Sequence, residues 1–182
     1  MSVLVEAVTL IVKKHSVRER YPGGWKAFVF EVPNGSLCAD DALASVSFMA
    51  PEDVESYIGF LEKKGLTYLL EGEPADMVIA DQIQGIKHIC HWCYITDFDL
   101  YSDPNKRLTG CKSIYSQVDQ IFVPEGWEYE GSISQHCLYV DSVDFDKCFK
   151  YLRHEDGKDI YHSVLVDDEI FVKRSNLLEE KS

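Results

Sequence analysis

The sequence predicts one α+β domain, a mixed and largely antiparallel sheet with two amphipathic helices packed on one face. Three observations lead there. Short apolar, β-branched and aromatic runs recur between Gly, Pro, Asn and Asp clusters. Two segments carry the i, i+3, i+4, i+7 spacing of a helix stripe. The chain has 182 residues, one domain's length at ~100–200 residues per domain. Hydrophobic residues make up 46% and charged residues 27%, ordinary usage that sets aside disorder, collagen-like repeats and a coiled coil. No low-complexity linker divides the chain, so residues 1–175 are expected as one compact domain and 176–182 as a polar tail.

Val3–Val12 is apolar on both alternating faces, the pattern of a strand buried on two sides. Ser16 stands three residues before Glu19, a capping-box spacing, so a short helix is expected from Val17 to before Pro22. Trp25–Val32, rich in aromatic and β-branched residues, reads as a strand closed by Pro33-Asn34-Gly35. Ala44–Ala50 is a further strand. Pro51-Glu52-Asp53 then opens the clearest helix, with Pro in the first turn and acids at the positive end of its dipole. Val54, Tyr57, Ile58 and Leu61 form its apolar stripe, and Gly65 is its stop. Thr67–Leu70, Met77–Ala80 and Ile86–Ile95 are strand candidates.

Near the C-terminus the unit recurs. Ser134–Val140 reads as a strand and Asp141-Ser142 as a cap. Phe145, Cys148, Phe149 and Leu152 repeat the helical stripe, with Gly157 as the stop. Strands Tyr161–Val166 and Ile170–Val172 follow. Tyr21-Pro22-Gly23-Gly24-Trp25 and Val123-Pro124-Glu125-Gly126-Trp127 precede the two units, so the fold is a candidate for two related halves.

No run approaches the ~18 apolar residues of a membrane span. The opening segment lacks a basic region and a small-residue cleavage site, which points away from a signal peptide. Six cysteines (Cys38, Cys90, Cys93, Cys111, Cys137, Cys148) without an export signal are expected as reduced, mostly buried thiols in a cytoplasmic protein. The net charge is −13, which disfavours nucleic-acid binding through a basic surface.

His88, Cys90, His91 and Cys93 are the densest set of reactive side chains, and imidazole with thiolate suits zinc. On a strand, however, they divide between two faces, so no shared metal and no cofactor is expected. Asp97–Asp103 fails as a calcium loop, since Ser102 stands where a turn glycine is needed and Leu108 where a glutamate is needed. Asp103-Pro104-Asn105 reads as a surface turn. Phosphate-loop, dinucleotide, nucleophile-elbow and zinc-protease motifs are absent from the sequence. Asp81 and Asp97 have no sequence-defined partner for acid–base work.

The charge is concentrated. Between Asp119 and Glu169 thirteen acids face only Lys147, Lys150, Arg153 and Lys158, in a stretch that also carries Phe122, Trp127, Tyr129, Tyr139, Tyr151 and Tyr161. Aromatic anchors in an acidic field are suited to a basic protein partner, because charge speeds encounter and desolvated rings hold it. Trp127 and Tyr129, with Glu125, Glu128 and Glu130, are the expected contact residues. The leading expectation is therefore a non-enzymatic binding protein, of the kind of an immunity protein that neutralises a cationic toxin. The alternative is a small-molecule or metal-dependent enzyme with a site near His88–Cys93.

Overall fold

A computed structural model describes residues 1–136, 145–156, 158–164 and 167–173. It is an α+β fold whose sheets are mostly antiparallel. The first half contains β1 (Ser2–Leu4), β2 (Val8–Lys13), α1 (Lys14–Arg20), α2 (Gly24–Glu31), β3 (Cys38–Ala39), β4 (Leu43–Phe48) and α3 (Pro51–Lys63). Next come β5 (Leu69–Leu70), β6 (Glu73–Pro74), β7 (Met77–Asp81), β8 (Gly85–Ile86), β9 (Cys93–Asp99), β10 (Arg107–Ser113) and β11 (Ile121–Phe122). Two four-residue helices, α4 (Ile133–His136) and α5 (Phe145–Cys148), precede β12 (Phe149–Glu155), β13 (Lys158–Ser163) and β14 (Asp168–Lys173). No helix among the described residues is long and apolar enough to cross a membrane.

The central sheet has the order β3-β4-β2-β7-β8 and is antiparallel throughout. Strand β2 lies in its middle. Alternation sends Val8, Leu10 and Val12 to one face, where they join Ala44, Val46, Phe48, Met77 and Ile79. That face is covered by Val17 of α1, Phe28 of α2 and the stripe of α3. The other face carries Ile11, Leu43, Val78 and Ala80, which pack with Val3, Cys93, Leu108 and Cys111 of a second sheet, β11-β1-β10-β9. The β12-β13-β14 meander forms a third sheet, and its Phe149, Tyr161 and Ile170 join the helix-side core.

Helix α3 is the element the sequence defines best. Val54, Tyr57, Ile58 and Leu61 are its buried residues. Its end is closed by two bonds of a Schellman motif, Leu66 N–H to Leu61 O at 3.1 Å and Gly65 N–H to Glu62 O at 3.1 Å. Gly65 adopts φ 104° to make that turn, a conformation glycine tolerates at no steric cost.

Several elements depart from the expected pattern. Val3–Val12 is two strands in two sheets, broken where Ala7 takes φ 50°. Ser16 does not cap a helix; α1 begins at Lys14, and the Ser16 hydroxyl donates to the buried Asp76 carboxylate at 2.8 Å. Trp25–Val32 is helical from Gly24 to Glu31, because Trp25 stacks on Phe28 at 5.4 Å and Tyr21 meets Phe28 edge-on at 5.6 Å. That ring cluster packs one helical face, and packing outweighs the strand propensity of the separate residues. Residues 87–92 are a loop rather than strand.

The C-terminal stripe is corrected too. Phe145–Cys148 makes one turn, and from Phe149 the chain is strand, paired with β13 except for a register shift between Tyr151 and Arg153. Phe149 and Tyr151 also fit the two-residue period of a strand, and the Tyr151–Tyr161 ring contact at 5.6 Å lies across a register pair. The strand–helix unit at 44–64 therefore has no counterpart at 145–155, and the second covering helix comes from α1 and α2. Ser134 lies in α4. Residues 137–144, including Cys137 and the Asp141-Ser142 cap, and the 176–182 tail lie outside the described residues.

Leu61 is fully buried among strands and helices. Leu61→Ala is expected to cost ~2–5 kcal/mol in a urea unfolding experiment. A cost within ~0.5 kcal/mol, the range of surface substitutions, would place the stripe against water.

Candidate partner-binding surface

The expected contact residues separate in the structure. Tyr129 is 8% exposed and belongs to the core between the sheets. Trp127 packs against the same core, and its indole N–H donates to Oε1 of Glu6, itself buried. Neither ring is an exposed anchor. Their apolar surface is spent on holding residues 123–130 against the body of the molecule. Glu125, Glu128 and Glu130 are exposed.

The acidic half also divides. Residues 119–130 run beside β1 and β10, where Lys112 Nζ donates to Asp119 at 2.6 Å. The meander carries the remaining described acids and laces several of them internally. Arg153 makes a two-pronged contact with Glu169 at 2.9 and 3.1 Å and also donates to Glu155. His154 meets Asp159 at 2.8 Å, and His162 meets Asp167 at 3.4 Å. Glu155 and Glu169 thus share one guanidinium of their own sheet.

One cluster of a different kind lies at the end of the β9–β10 hairpin. Strand β9 is the edge of its sheet, and its turn residues Leu100–Ser102 form a single 3-10 turn. Leu100 is buried, and the chain then reverses through Tyr101 at φ 53° and Ser102 at φ 60°. The left-handed region is costly for a residue with a Cβ, and here it swings the Tyr101 ring outward. Tyr101 is 87% exposed, more than any other large hydrophobic residue described.

Charged side chains lie on the same hairpin and beside it. Asp97, Asp99 and Asp103 come from the hairpin itself, and Glu130 is brought in by Lys106, whose Nζ donates to it at 2.8 Å. Lys106 Nζ also lies 5.7 Å from the Tyr129 ring centre, so the buried aromatic forms the base of the cluster. Four carboxylates thus face two cations, Lys106 and Arg107. Glu130 holds Lys106 above the ordinary ammonium value, and Lys106 holds Glu130 below the ordinary carboxylate value. Arg107 spans Asp97 at 3.3 Å and Asp99 at 4.0 Å. Exposed pairs of this sort are worth about 0–1 kcal/mol, so a cation arriving from outside can replace Arg107 at small cost.

The four residues near β9 do not converge on one point. His88 packs edge-on against Tyr68 at 5.8 Å, and His91 faces Glu73 at 3.7 Å. Cys90 and Cys93 approach each other at 3.6 Å, which the loop permits and a continuous strand would forbid. Among the described residues no group of three or more His, Cys, Asp or Glu is placed to share a metal ion. Asp81 Oδ1 caps the turn that follows β7 by accepting from Ile83 and Gln84 N–H, while Asp97 belongs to the hairpin cluster.

No protein family, no curated protein and no solved structure matches this chain.

Tyr101 makes its exposure and its backbone conformation separately testable. Tyr101→Gly removes the ring and relieves the left-handed strain. Thermal and urea unfolding should show unchanged stability or a gain of up to about 1 kcal/mol. A loss of that size would mean the ring is packed in solution.

Proposed function

We propose that this chain is a non-enzymatic, cytoplasmic binding protein that docks a basic protein partner on the end of the β9–β10 hairpin, as an immunity protein docks a cationic toxin. The observation that carries the reading is Tyr101. A large ring held almost wholly in water by two consecutive left-handed residues contributes nothing to the core, and strained positions cluster at working sites. The hairpin acids Asp97, Asp99 and Asp103, with Glu130 held by Lys106, suit Lys or Arg side chains of a partner. The chain's charge of −13 adds long-range attraction for such a surface.

The division of labour follows from the physics. Carboxylates act before contact, raising the rate of encounter, and a desolvated tyrosine acts after contact, slowing release. Arg107 and Lys106 keep the cluster from self-repulsion in the free protein. They give way or share their carboxylates when the partner arrives. Residues 123–130 support the hairpin from beneath, which gives Trp127 and Tyr129 a positioning role.

The test is capture of the partner on immobilised protein from the native lysate, followed by association kinetics across salt. The partner should be basic. Replacing Asp97, Asp99 and Glu130 by their amides should lower the on-rate about tenfold at low salt, with little change in release. The wild-type on-rate should fall as the Debye length shrinks from ~10 Å at 0.1 M salt to ~3 Å at 1 M. Tyr101→Ala should leave the on-rate alone and weaken binding by about 2 kcal/mol through faster release. An acidic partner, or one indifferent to both the triple replacement and Tyr101→Ala, would overturn the reading.

A further inference from the structure

Cys90, Cys93 and Cys111 form a cluster that the docking surface does not use. Cys90 Sγ lies 3.6 Å from Cys93 Sγ, and Cys93 and Cys111 belong to the same buried cluster between the sheets. Cys93 and Cys111 are buried, whereas Cys90 is half-exposed on the 87–92 loop. Five of the cysteines, these three with Cys38 and Cys148, are free thiols. We propose that Cys90 and Cys93 are a dithiol modification site, which a low-molecular-weight disulfide oxidises to an intramolecular Cys90–Cys93 disulfide while Cys111 remains a thiol.

Strand register decides between the two possible bridges. Cys93 pairs with Ser113, and Cys111 pairs with Ile95, so Cys93 and Cys111 are diagonal neighbours on adjacent antiparallel strands. Diagonal positions lie ~7–8 Å apart, while a disulfide needs Cβ atoms within ~3.5–4.5 Å. Joining them would require the two strands to slide. Cys90 has no such constraint, since only a loop of two residues separates it from Cys93. Closing the remaining gap between their sulfurs moves that loop and leaves the sheet in place.

The chemistry balances in two exchanges. The Cys90 thiolate, formed by loss of its proton, attacks one sulfur of the small disulfide and expels the other half as a thiolate. The Cys93 thiolate then attacks Cys90 Sγ, forms the protein disulfide and expels the second half. Two electrons pass from the cysteine pair to the small disulfide, and the two cysteine protons finish on the two released thiols. Contact with Cys93, then burial, holds the Cys90 thiol above its ordinary pKa, and contact with Cys111 does the same for Cys93. Little thiolate is present at neutral pH, so the first step is slow and quickens as pH rises. Closure also pins Trp92, whose indole donates to Pro74 O at 3.0 Å and whose ring carries Lys13 Nζ at 4.7 Å.

The experiment treats the folded protein with glutathione disulfide, blocks remaining thiols with iodoacetamide in denaturant, and maps tryptic peptides. Cleavage after Lys87, Lys106, Arg107 and Lys112 places Cys90 and Cys93 on one peptide and Cys111 on another. The expected result is a His88–Lys106 peptide lighter by two hydrogens and free of alkylation, with the Leu108–Lys112 peptide alkylated. Yield should rise with pH, vanish in Cys90→Ser and persist in Cys111→Ala. Alkylation of both Cys90 and Cys93, a cross-link between the two peptides, or glutathione retained on Cys90 without closure would each overturn the proposal.

Discussion

The architecture depends on one corner, at Glu6 and Ala7, where the chain leaves one sheet and enters the next. Ala7 takes a left-handed conformation, and both of its backbone polar groups are met by Gln82. The side-chain oxygen of Gln82 accepts from Ala7 N–H, and its own N–H donates to Ala7 O, each at 2.9 Å. The Thr9 hydroxyl accepts from Glu6 N–H at 3.1 Å, donates to Glu6 O at 2.8 Å and meets Ser47 at 2.9 Å. That uses one donor and both lone pairs of a single hydroxyl. A bend inside a fully buried segment would otherwise strand backbone groups away from water, at roughly 1–3 kcal/mol each. Because the corner is satisfied, Ser2–Leu4 and Val8–Lys13 can pair in different sheets and still lie next to one another.

From that corner the rest follows in layers. Strand β2 is paired on both edges and buried on both faces, so helices must cover one side and the β1-containing sheet the other. Asp76 locks the far end of β2. Its carboxylate accepts from Ser16, Arg20 and Thr67 N–H, and its carbonyl accepts from Lys13 N–H. The second sheet cannot be enclosed in the same way. Its β9 edge and the β9–β10 turn extend past the covering layers, and Trp127, held by Glu6, helps fasten the segment that supports them. The exposed end of the hairpin is thus a consequence of how the corner distributes the strands.

Legibility in the sequence tracked how local the determining forces were. Helix α3 carried its initiator, stripe and stop within fifteen residues, and each of them behaves as its chemistry requires. The β13 and β14 strands are legible as strands but not in their bounds. Strand β13 runs Lys158–Ser163 rather than Tyr161–Val166, and β14 starts at Asp168 rather than Ile170, because Asp168 and Glu169 pair with Ser163 and His162. The Trp25–Glu31 segment was not legible, because its helix rests on ring contacts with Tyr21 that composition does not encode. Phe145–Leu152 satisfied two periods at once, and only pairing with β13 decided between them. At the surface site, Glu130 was legible as an exposed acid. Trp127 and Tyr129 were misplaced, since an aromatic residue in an acidic stretch is equally suited to core or contact. Tyr101 has no such signal, because a left-handed non-glycine turn has no residue signature; the acids of Asp97–Asp103 are the clue the sequence offers. The approach of Cys90 to Cys93 needs a turn, which the Cys-x-x-Cys spacing allows and the strand reading of 86–95 sets aside.

At the hairpin end the two-sheet body carries a turn with two left-handed residues that holds the Tyr101 ring in water. At this turn a cation from outside would meet both carboxylates of the hairpin and an exposed aromatic ring. Hydrogen–deuterium exchange on the free protein and on its complex with the captured partner tests this most directly. The account expects new protection confined to peptides spanning 97–107, with the β12–β14 meander and the α2–α3 face unchanged. Protection centred on the meander or the helices, with 97–107 exchanging as in the free protein, would contradict it.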